Sequence, residues 1–348
     1  MRQHTFPLLW ALALVLGAAA RSIAQSSFEP NTGELCTAAG CPAVIAETVY
    51  DGHRAYRLCD GHSEAIVVPD LGRIMSYRLV GGPNLLWTAT RHKFGAREWK
   101  NYGGAKTWPS PQNAWPALIG RKWPPPEMWE NTAKSEVLTG GTVRLTSATD
   151  PATGTRLVRE FGLADDGDLT ISQTVEKLTG QSVTLGMWSV TQTEVPDFVL
   201  MPRADSANGY RWLDKPDVEP PITTWANGVL RVSPTTSVPS DLAADASQAW
   251  MVSVINGTAF SQRSVMVTDG ADNSNYKGTF PVAFYCTGPQ KQPYSEVELL
   301  SPLHRFQVGS RLREIQSWRV EALPSPDFES SVTRSALTRI VEGLRKSC

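Results

Sequence analysis

Two glutamates one residue apart, Glu296 and Glu298, lie in a strand-like stretch at residues 294–300. Alternation along a strand sends Val297 and Leu299 to one face and Tyr294, Glu296 and Glu298 to the other. Paired carboxylates beside a phenol can move protons, one group taking a proton while another gives one. Simple solvation is the ordinary alternative for glutamates on a non-core face. A second strand-like stretch, 181–192, puts Val183, Leu185 and Met187 on its core face. Trp188 and Gln192 fall on the opposite face, with Glu194 just beyond.

Six of the 12 tryptophans fall between Trp87 and Trp129, and the later part of that run is broken by prolines: NYGGAKTWPSPQNAWPALIGRKWPPPEMW. Proline removes backbone donors and forbids regular helix, so the sequence predicts that these rings sit on loops and edges. An indole offers a flat apolar face and one N–H donor. That suits a ligand with apolar C–H faces and many hydroxyls, a sugar ring. Lys106, Gln112, Arg121 and Glu127 interleave the rings, which favours a ligand-facing wall over an insertion that packs its own aromatics against a sheet.

Lys106 stands beside Trp108 and would act as an acid if burial lowered its pKa; otherwise it hydrogen-bonds a ligand or a loop carbonyl. Arg73 follows Gly72, and its fork suits a hydroxyl or carboxylate, or an ion pair bracing the first hairpin. The ligand contacts read from the chain are Arg73, Trp108, Gln112, Trp115, Trp188 and Gln192. The five histidines leave a gap from His92 to His304, and His53 and His62 lack metal-ligand company. No Ser-His-Asp spacing, phosphate-cradling glycine loop or dinucleotide fingerprint is present. No cofactor and no metal are expected.

The first residues predict export. Arg2 and His4 precede an apolar run at 8–20, and small residues at Ser22 and Ala24 end a signal peptide over 1–24. The expected destination is secreted or periplasmic, with no membrane insertion of the mature chain. Five cysteines, Cys36, Cys41, Cys59, Cys286 and Cys348, then meet oxidising conditions. Cys36 with Cys41, and Cys59 with Cys286, are the pairings considered, although sequence alone does not fix connectivity. With 33 basic and 34 acidic residues and no basic stripe, nucleic acid is a poor partner and a neutral substrate fits better.

Strand signals are dense: 64–69, 73–79, 137–138, 143–146, 156–163, 169–178, 183–192, 228–232, 249–255, 264–268, 282–286, 294–300 and 313–320. Asp166-Gly167 is the strongest hairpin turn. Helical periodicity waits until 330–344, where Val332, Leu337, Ile340, Val341 and Leu344 form one stripe, with Asp327 or Ser325 as cap. The prediction is an all-β fold, a large antiparallel super-sandwich over 25–322. A C-terminal helix within 323–348 packs on its outside.

The stretch AIVVPDLGRIMSYRLVGGPNLLW, 65–87, resembles the opening of the galactose mutarotase-like superfamily of β-super-sandwiches. The stretch YSEVELLSPLHRFQVGSRLREIQSWRV, 294–320, is similar to its closing glutamate strand, apolar loop, glycine turn and last strand. The likeness spans about residues 47–322, and GGAKTWPSPQ, 103–112, resembles a secreted branch of the superfamily. Aldose 1-epimerases of this superfamily use a glutamate base and a histidine acid, assisted by another histidine. The resemblance implies that Glu296 or Glu298 is that glutamate. It aligns Tyr102-Gly103-Gly104 with the family's His-Gly-Gly element, and Trp188 or Ser189 with its mid-chain histidine. Both histidines are therefore missing, and little aldose mutarotation is expected.

The groups expected to carry chemistry are Glu296, Glu298, Lys106 and Tyr102. The leading expectation is a secreted protein that binds a carbohydrate ligand and acts on a sugar or uronic-acid ring. One alternative is a polysaccharide lyase or glycoside-active enzyme. It would use glutamate with tyrosine or lysine, and Arg73, Arg121 or Lys106 to neutralise a substrate carboxylate. Another is a non-catalytic envelope scaffold whose tryptophan loops bind a protein.

Overall fold

The computed structural model describes residues 43–89, 99–126, 128–164, 166–203, 209–226, 228–244, 248–267, 280–290 and 292–346. The expected signal peptide and Cys36, Cys41, His92, Glu127 and Cys348 lie outside the described residues. In chain order the first strands are β1 (Val44–Tyr50), β2 (His53–Cys59), β3 (Ser63–Val68), β4 (Arg73–Leu79), β5 (Ala105–Ser110), β6 (Thr132–Leu138), β7 (Thr142–Ser147), β8 (Thr155–Leu163), β9 (Leu169–Lys177) and β10 (Val183–Thr193). Then come β11 (Phe198–Pro202), β12 (Arg211–Asp214), β13 (Ile222–Ala226), β14 (Val229–Val232), β15 (Ser240–Ala244) and β16 (Ala249–Ile255). The last are β17 (Thr258–Val267), β18 (Val282–Cys286), β19 (Ser295–Leu300), β20 (His304–Phe306) and β21 (Arg311–Ala322). A short helix, α1 (Trp115–Ile119), follows β5, and α2 (Ser331–Lys346) closes the described chain.

The strands form two antiparallel sheets. An 11-stranded sheet runs β1-β2-β3-β4-β5-β10-β19-β18-β15-β12, with β20 also on β10. A 10-stranded sheet runs β13-β14-β11-β16-β17-β21-β9-β8-β7-β6. The expected all-β super-sandwich is therefore the observed architecture. The predicted strands at 156–163, 169–178, 183–192, 249–255, 282–286 and 313–320 match β8, β9, β10, β16, β18 and β21 closely. Asp166-Gly167 turns β8 into β9, with Gly167 at φ 84°. Among the described residues, no helix is long and apolar enough to cross a membrane.

Burial patterns show which faces are covered. β8 and β21 alternate buried and open residues, the mark of one core face and one wet face. β3, β5 and β19 are buried at every position. The middle of the 11-stranded sheet is therefore covered on both sides. The inner side packs at one end through Tyr56, Leu58, Val67 and Tyr77 against Phe161, Phe260 and Trp318. At the other end Leu242, Phe284, Val297 and Leu299 meet Val199, Leu230 and Met251.

Between these apolar zones lies a buried polar belt. Thr107 donates to Gln173, Gln173 donates to Ser189 and Glu314, and Ser264 donates to Glu314. Gln262 donates to Thr191 alongside. The belt anchors the inner faces of β5 and β10, whose outer faces carry Lys106, Trp108, Trp188 and Gln192. Losing Gln173 would strand buried partners at about 1–3 kcal/mol each.

Three sequence expectations need correction. Residues 105–110, read as part of a proline-broken loop, form β5, an interior strand. Pro109 is tolerated because β4 pairs with β5 only at Ile74↔Ala105, leaving that side open further along. Cys59 is disulfide-bonded and Cys286 is free and buried, so the two are not joined. Six strand spacings of about 4.8 Å, roughly 29 Å, separate β2 from β18, beyond the ~7 Å reach of a disulfide. On α2, Val332 is 57% exposed, while Thr333, Leu337, Ile340 and Val341 are buried against the outer face of the 10-stranded sheet. Ser330 Oγ accepts the Thr333 N–H and caps the helix, and Asp327 organises the turn before it.

Candidate functional site

The outer face of β5, β10, β19, β18 and β15 is laid out by register. Trp188 on β10 stands opposite Trp108 on one side and Leu300 on the other. Val190, two residues on, stands between Lys106 and Glu298. A third row runs Gln192, Glu296, Tyr285, Asp241 and Asp214 across β10, β19, β18, β15 and β12. The face thus grades from indoles to carboxylates within two rungs.

The segment before β5 reaches this face by a tight approach. Gly103 and Gly104 have φ of 84° and 69°. A Cβ on Gly103 would lie 2.3 Å from the Trp87 carbonyl oxygen, and one on Gly104 would lie 2.3 Å from that of Ile74. Only glycine fits. Gly104 N–H donates to Trp87 O, and Trp87 N–H donates to Gln192 O, which knits this segment to β10.

Above the face opens a cavity of about 750 Å³. Trp108, Trp123 and Trp188 form one wall, and Phe280, Tyr285 and Tyr294 form another. Glu296, Glu298 and Asp241 supply its carboxyls, with Gln112 and Asn113 at the rim. Trp123 is 50% exposed and offers an open ring. The Trp108 and Trp188 centroids are 5.4 Å apart at 83°. Trp87, outside the lining, packs against the Tyr294 ring with centroids 4.6 Å apart.

A larger groove of about 1010 Å³ lies on the outer face of the 10-stranded sheet. Its Arg144 is ion-paired with Glu160 and its Arg156 with Glu176, and no Phe, Tyr or Trp is among its described lining residues. The smaller cavity is the one that combines ring faces with acids.

Electrostatics at the floor follow from burial. Glu298 is 4% exposed; its Oε2 accepts from Trp188 Nε1 at 2.9 Å. Burial, then the charges of Glu296 and Asp241, push its carboxyl well above the usual carboxylate range. Glu296 Oε1 accepts from Gln192 Nε2 at 2.7 Å. Burial raises the Glu296 carboxyl too, against the opposing pull of Lys106. Burial and then Glu296 and Asp214 lift Asp241 to about 6, and burial with Glu296 lifts Tyr285 to about 12. Lys106 is 1% exposed, its Nζ has no hydrogen-bond partner among the described residues, and it lies 4.8 Å from the Trp108 ring centroid. Burial lowers its pKa to about 7, with Glu296 pulling the other way.

Of the residues named from sequence, Glu296, Glu298, Trp108, Trp188 and Gln112 line the cavity. Lys106 and Gln192, both buried, are not among its lining residues, and Gln192 donates to Glu296. Trp115 is fully buried, its indole N–H donated to the Pro109 carbonyl, so it backs the wall from behind. Arg73 donates to Glu130 and to the Gly103 carbonyl, and its guanidinium lies 5.7 Å from the Tyr102 ring centroid. Both line a neighbouring hollow with Lys100 and Met128, not this cavity. Arg73 thus braces the approach to β5 through Glu130, which also accepts the Trp108 N–H at 2.9 Å. Asp241, Tyr285, Phe280 and Trp123 were not singled out from sequence. A strand pairing across the sheet brings the first two in, and no local motif marks them.

No three-residue group of metal-ligating side chains occurs among the described residues. His304, on β20, lines the charged groove and not the cavity.

No protein-family model and no curated protein matches the chain. Solved structures are similar in fold. A Klebsiella pneumoniae protein described as a candidate aldose 1-epimerase superposes with a TM-score of 0.54 at 8% identity, covering 90% of each chain. An Escherichia coli protein described in the same way gives 0.49 at 12% identity, over 81% of this chain and 100% of that one. A galactose mutarotase-like protein from Lactobacillus casei gives 0.47 at 12% identity, over 80% and 100%. The Klebsiella structure thus shares the fold of this sandwich, in line with the fold that the resemblance at 65–87 and 294–320 implied.

Proposed function

We propose that this chain binds a carbohydrate ring in the cavity over β10 and β19. The observation that carries the reading is the pairing of indole faces at Trp123 and Trp188 with Glu296, Glu298 and Asp241 in one 750 Å³ space. Rings bury the C–H face of a sugar, and carboxyls accept its hydroxyl protons. The likeness in fold to the Klebsiella structure, described as a candidate aldose 1-epimerase, supports the same class of ligand. Calorimetry with a panel of neutral, amino and acidic monosaccharides and short oligosaccharides tests it. Failure of every sugar to bind would end the reading.

A second reading adds chemistry on the bound ring. It is favoured by a difference between the carboxyls: burial and neighbouring acids push Glu298 well above the usual carboxylate range, while Lys106 opposes the upward push of burial on Glu296. Glu298 would give a proton to a sugar oxygen, and Glu296 would take one from a hydroxyl or ring carbon. The lyase alternative is less well served, because Arg73 is bonded to Glu130 away from the cavity.

Export is part of the proposal. The charged start and apolar run at 8–20 support a signal peptide. The disulfide at Cys59 fits an oxidising compartment. Mass spectrometry of exported material should find a chain starting near Gln25, and intact Met1 protein in the cytosol would overturn this.

A further inference from the structure

The charge of the cavity narrows the class of sugar. Among its described lining residues there is no lysine, arginine or histidine, against three carboxyl groups. Lys106 offsets Glu296 and Glu298 from below, but it is 1% exposed and lies outside the lining. Asp241 is different. It makes no ion pair among the described residues, and the charges acting on it, Glu296 and Asp214, are both acidic. The nearby Arg211 guanidinium lies over the Phe280 ring, 5.0 Å from its centroid.

Register gives the acids a shape. Tyr285 on β18 stands directly between Glu296 on β19 and Asp241 on β15. Two carboxylates thus flank one phenol ring, with Tyr294 packed 6.5 Å from it, centroid to centroid. Glu298 adds an oxygen. Its Oε2 is taken by Trp188, its Oε1 has no partner among the described residues, and it lines the space. Ring faces bracketed by carboxylates attract a cation through both the ring quadrupole and Coulomb's law. An anionic sugar would meet the same groups as repulsion.

We infer that the sugar taken here carries a protonated amine, seated over Tyr285 between Glu296 and Asp241. This rests on the carbohydrate reading and sharpens it to amino sugars. Uronic acids, the other class considered from sequence, are disfavoured by the same lining.

The test is calorimetry on the full exported chain at pH 7 with four ligands on one ring: glucosamine, glucose, N-acetylglucosamine and glucuronate, repeated on the galactose series. The expected result is that the free amine binds about tenfold or more tightly than its hydroxyl and acetamide counterparts, with the uronate weakest. Asp241→Asn should cut the amine's advantage over its hydroxyl and acetamide counterparts to about threefold or less. Equal binding of amine and hydroxyl sugars, or tightest binding of the uronate, overturns the inference and leaves the carbohydrate reading standing. Absence of binding by every member overturns both. The wild-type series decides the matter even if the variant folds poorly.

Discussion

Trp188 donates its indole N–H to Glu298 Oε2 at 2.9 Å, so the aromatic wall and the acidic floor form one hydrogen-bonded unit. The two residues sit on adjacent strands, with Trp188 opposite Leu300 and Val190 opposite Glu298. The bond runs diagonally across the ladder. It leaves the other carboxyl oxygen of Glu298 for the cavity and fixes the ring that a ligand would stack on.

Separating the two roles of Trp188 gives the first prediction. Trp188→Ala removes both the face and the donor and should weaken sugar binding by about 1–3 kcal/mol, on the stacking scale for flat rings. Trp188→Phe keeps a face but strands Glu298 without its donor. Because that bond favours the charged carboxylate, its loss should raise the Glu298 pKa further. Calorimetry on both variants, with carboxyl titration by NMR, checks this. Equal affinities for wild type and Trp188→Ala would remove Trp188 from the site.

The tryptophans divide by burial. Trp108 is 2% exposed and its N–H is held by Glu130, while Trp123 is 50% exposed. Trp108→Ala should destabilise by about 3–5 kcal/mol, as for other large buried rings. Trp123→Ala should change stability by less than about 1 kcal/mol yet weaken ligand binding. Thermal melts beside calorimetry distinguish the two, and a large stability loss at Trp123 would recast it as core.

How much of this was readable in the chain follows from the range of each signal. Alternation is local, so the faces of β10 and β19 followed from Leu185, Met187, Trp188, Val297 and Glu298 directly. The helix stripe was equally local, apart from Val332, which is exposed in the first turn. Strand β5 was hidden because Pro109 and the neighbouring prolines read as loop; only the short pairing with β4 explains why a proline survives there. Asp241 and Tyr285 were hidden because cross-strand neighbours come from pairings far apart in sequence, which one sequence does not contain. Gln112 and Trp115 were chosen for type and proximity. Burial then divided them, one at the rim and one behind the wall.

Asp241 gives a pH signature. Its folded pKa is raised to about 6 from 3.8, so between these values the folded state holds more of the proton than the unfolded state. Stability attributable to it is present below the lower value and is lost as pH rises through about 6. Asp241→Asn should therefore stabilise the protein relative to wild type at pH 7 and not at pH 3.5. Denaturant melts at the two pH values check the sign, and a pH-independent difference would place Asp241 in water rather than in the pocket wall.

The make-up of the cavity lining predicts an inactive result in one assay. The cavity's described lining holds no histidine, and His304 faces the charged groove. Polarimetry with fresh glucose or galactose should show little acceleration of mutarotation. A rate like that of a competent epimerase would show that Glu298 or Lys106 serves as the acid.

Lys106 sets stability against function. Its amine is buried without a hydrogen-bond partner among the described residues, beside a tryptophan face and within the field of two glutamates. A buried charge with incomplete pairing costs free energy, and a well-packed apolar replacement of similar volume is often neutral or stabilising by about 1–4 kcal/mol. Lys106→Met should therefore leave the melting temperature unchanged or raise it. The same change removes the cation that draws Glu296 toward its charged form, so the Glu296 carboxyl should titrate at higher pH. If Glu296 serves as a base, turnover near neutral pH should fall more than ligand affinity does. The wild-type stability curve adds a sign check. Lys106 holds its proton less tightly folded, at about 7, than at the ordinary 10.5, so stability gains as pH rises between those values. Lys106→Met should flatten that rise. Strong destabilisation of the variant at pH 7, with binding and turnover intact in the folded fraction, would mean that Lys106 is a structural brace and that the acid–base reading of the floor should be abandoned.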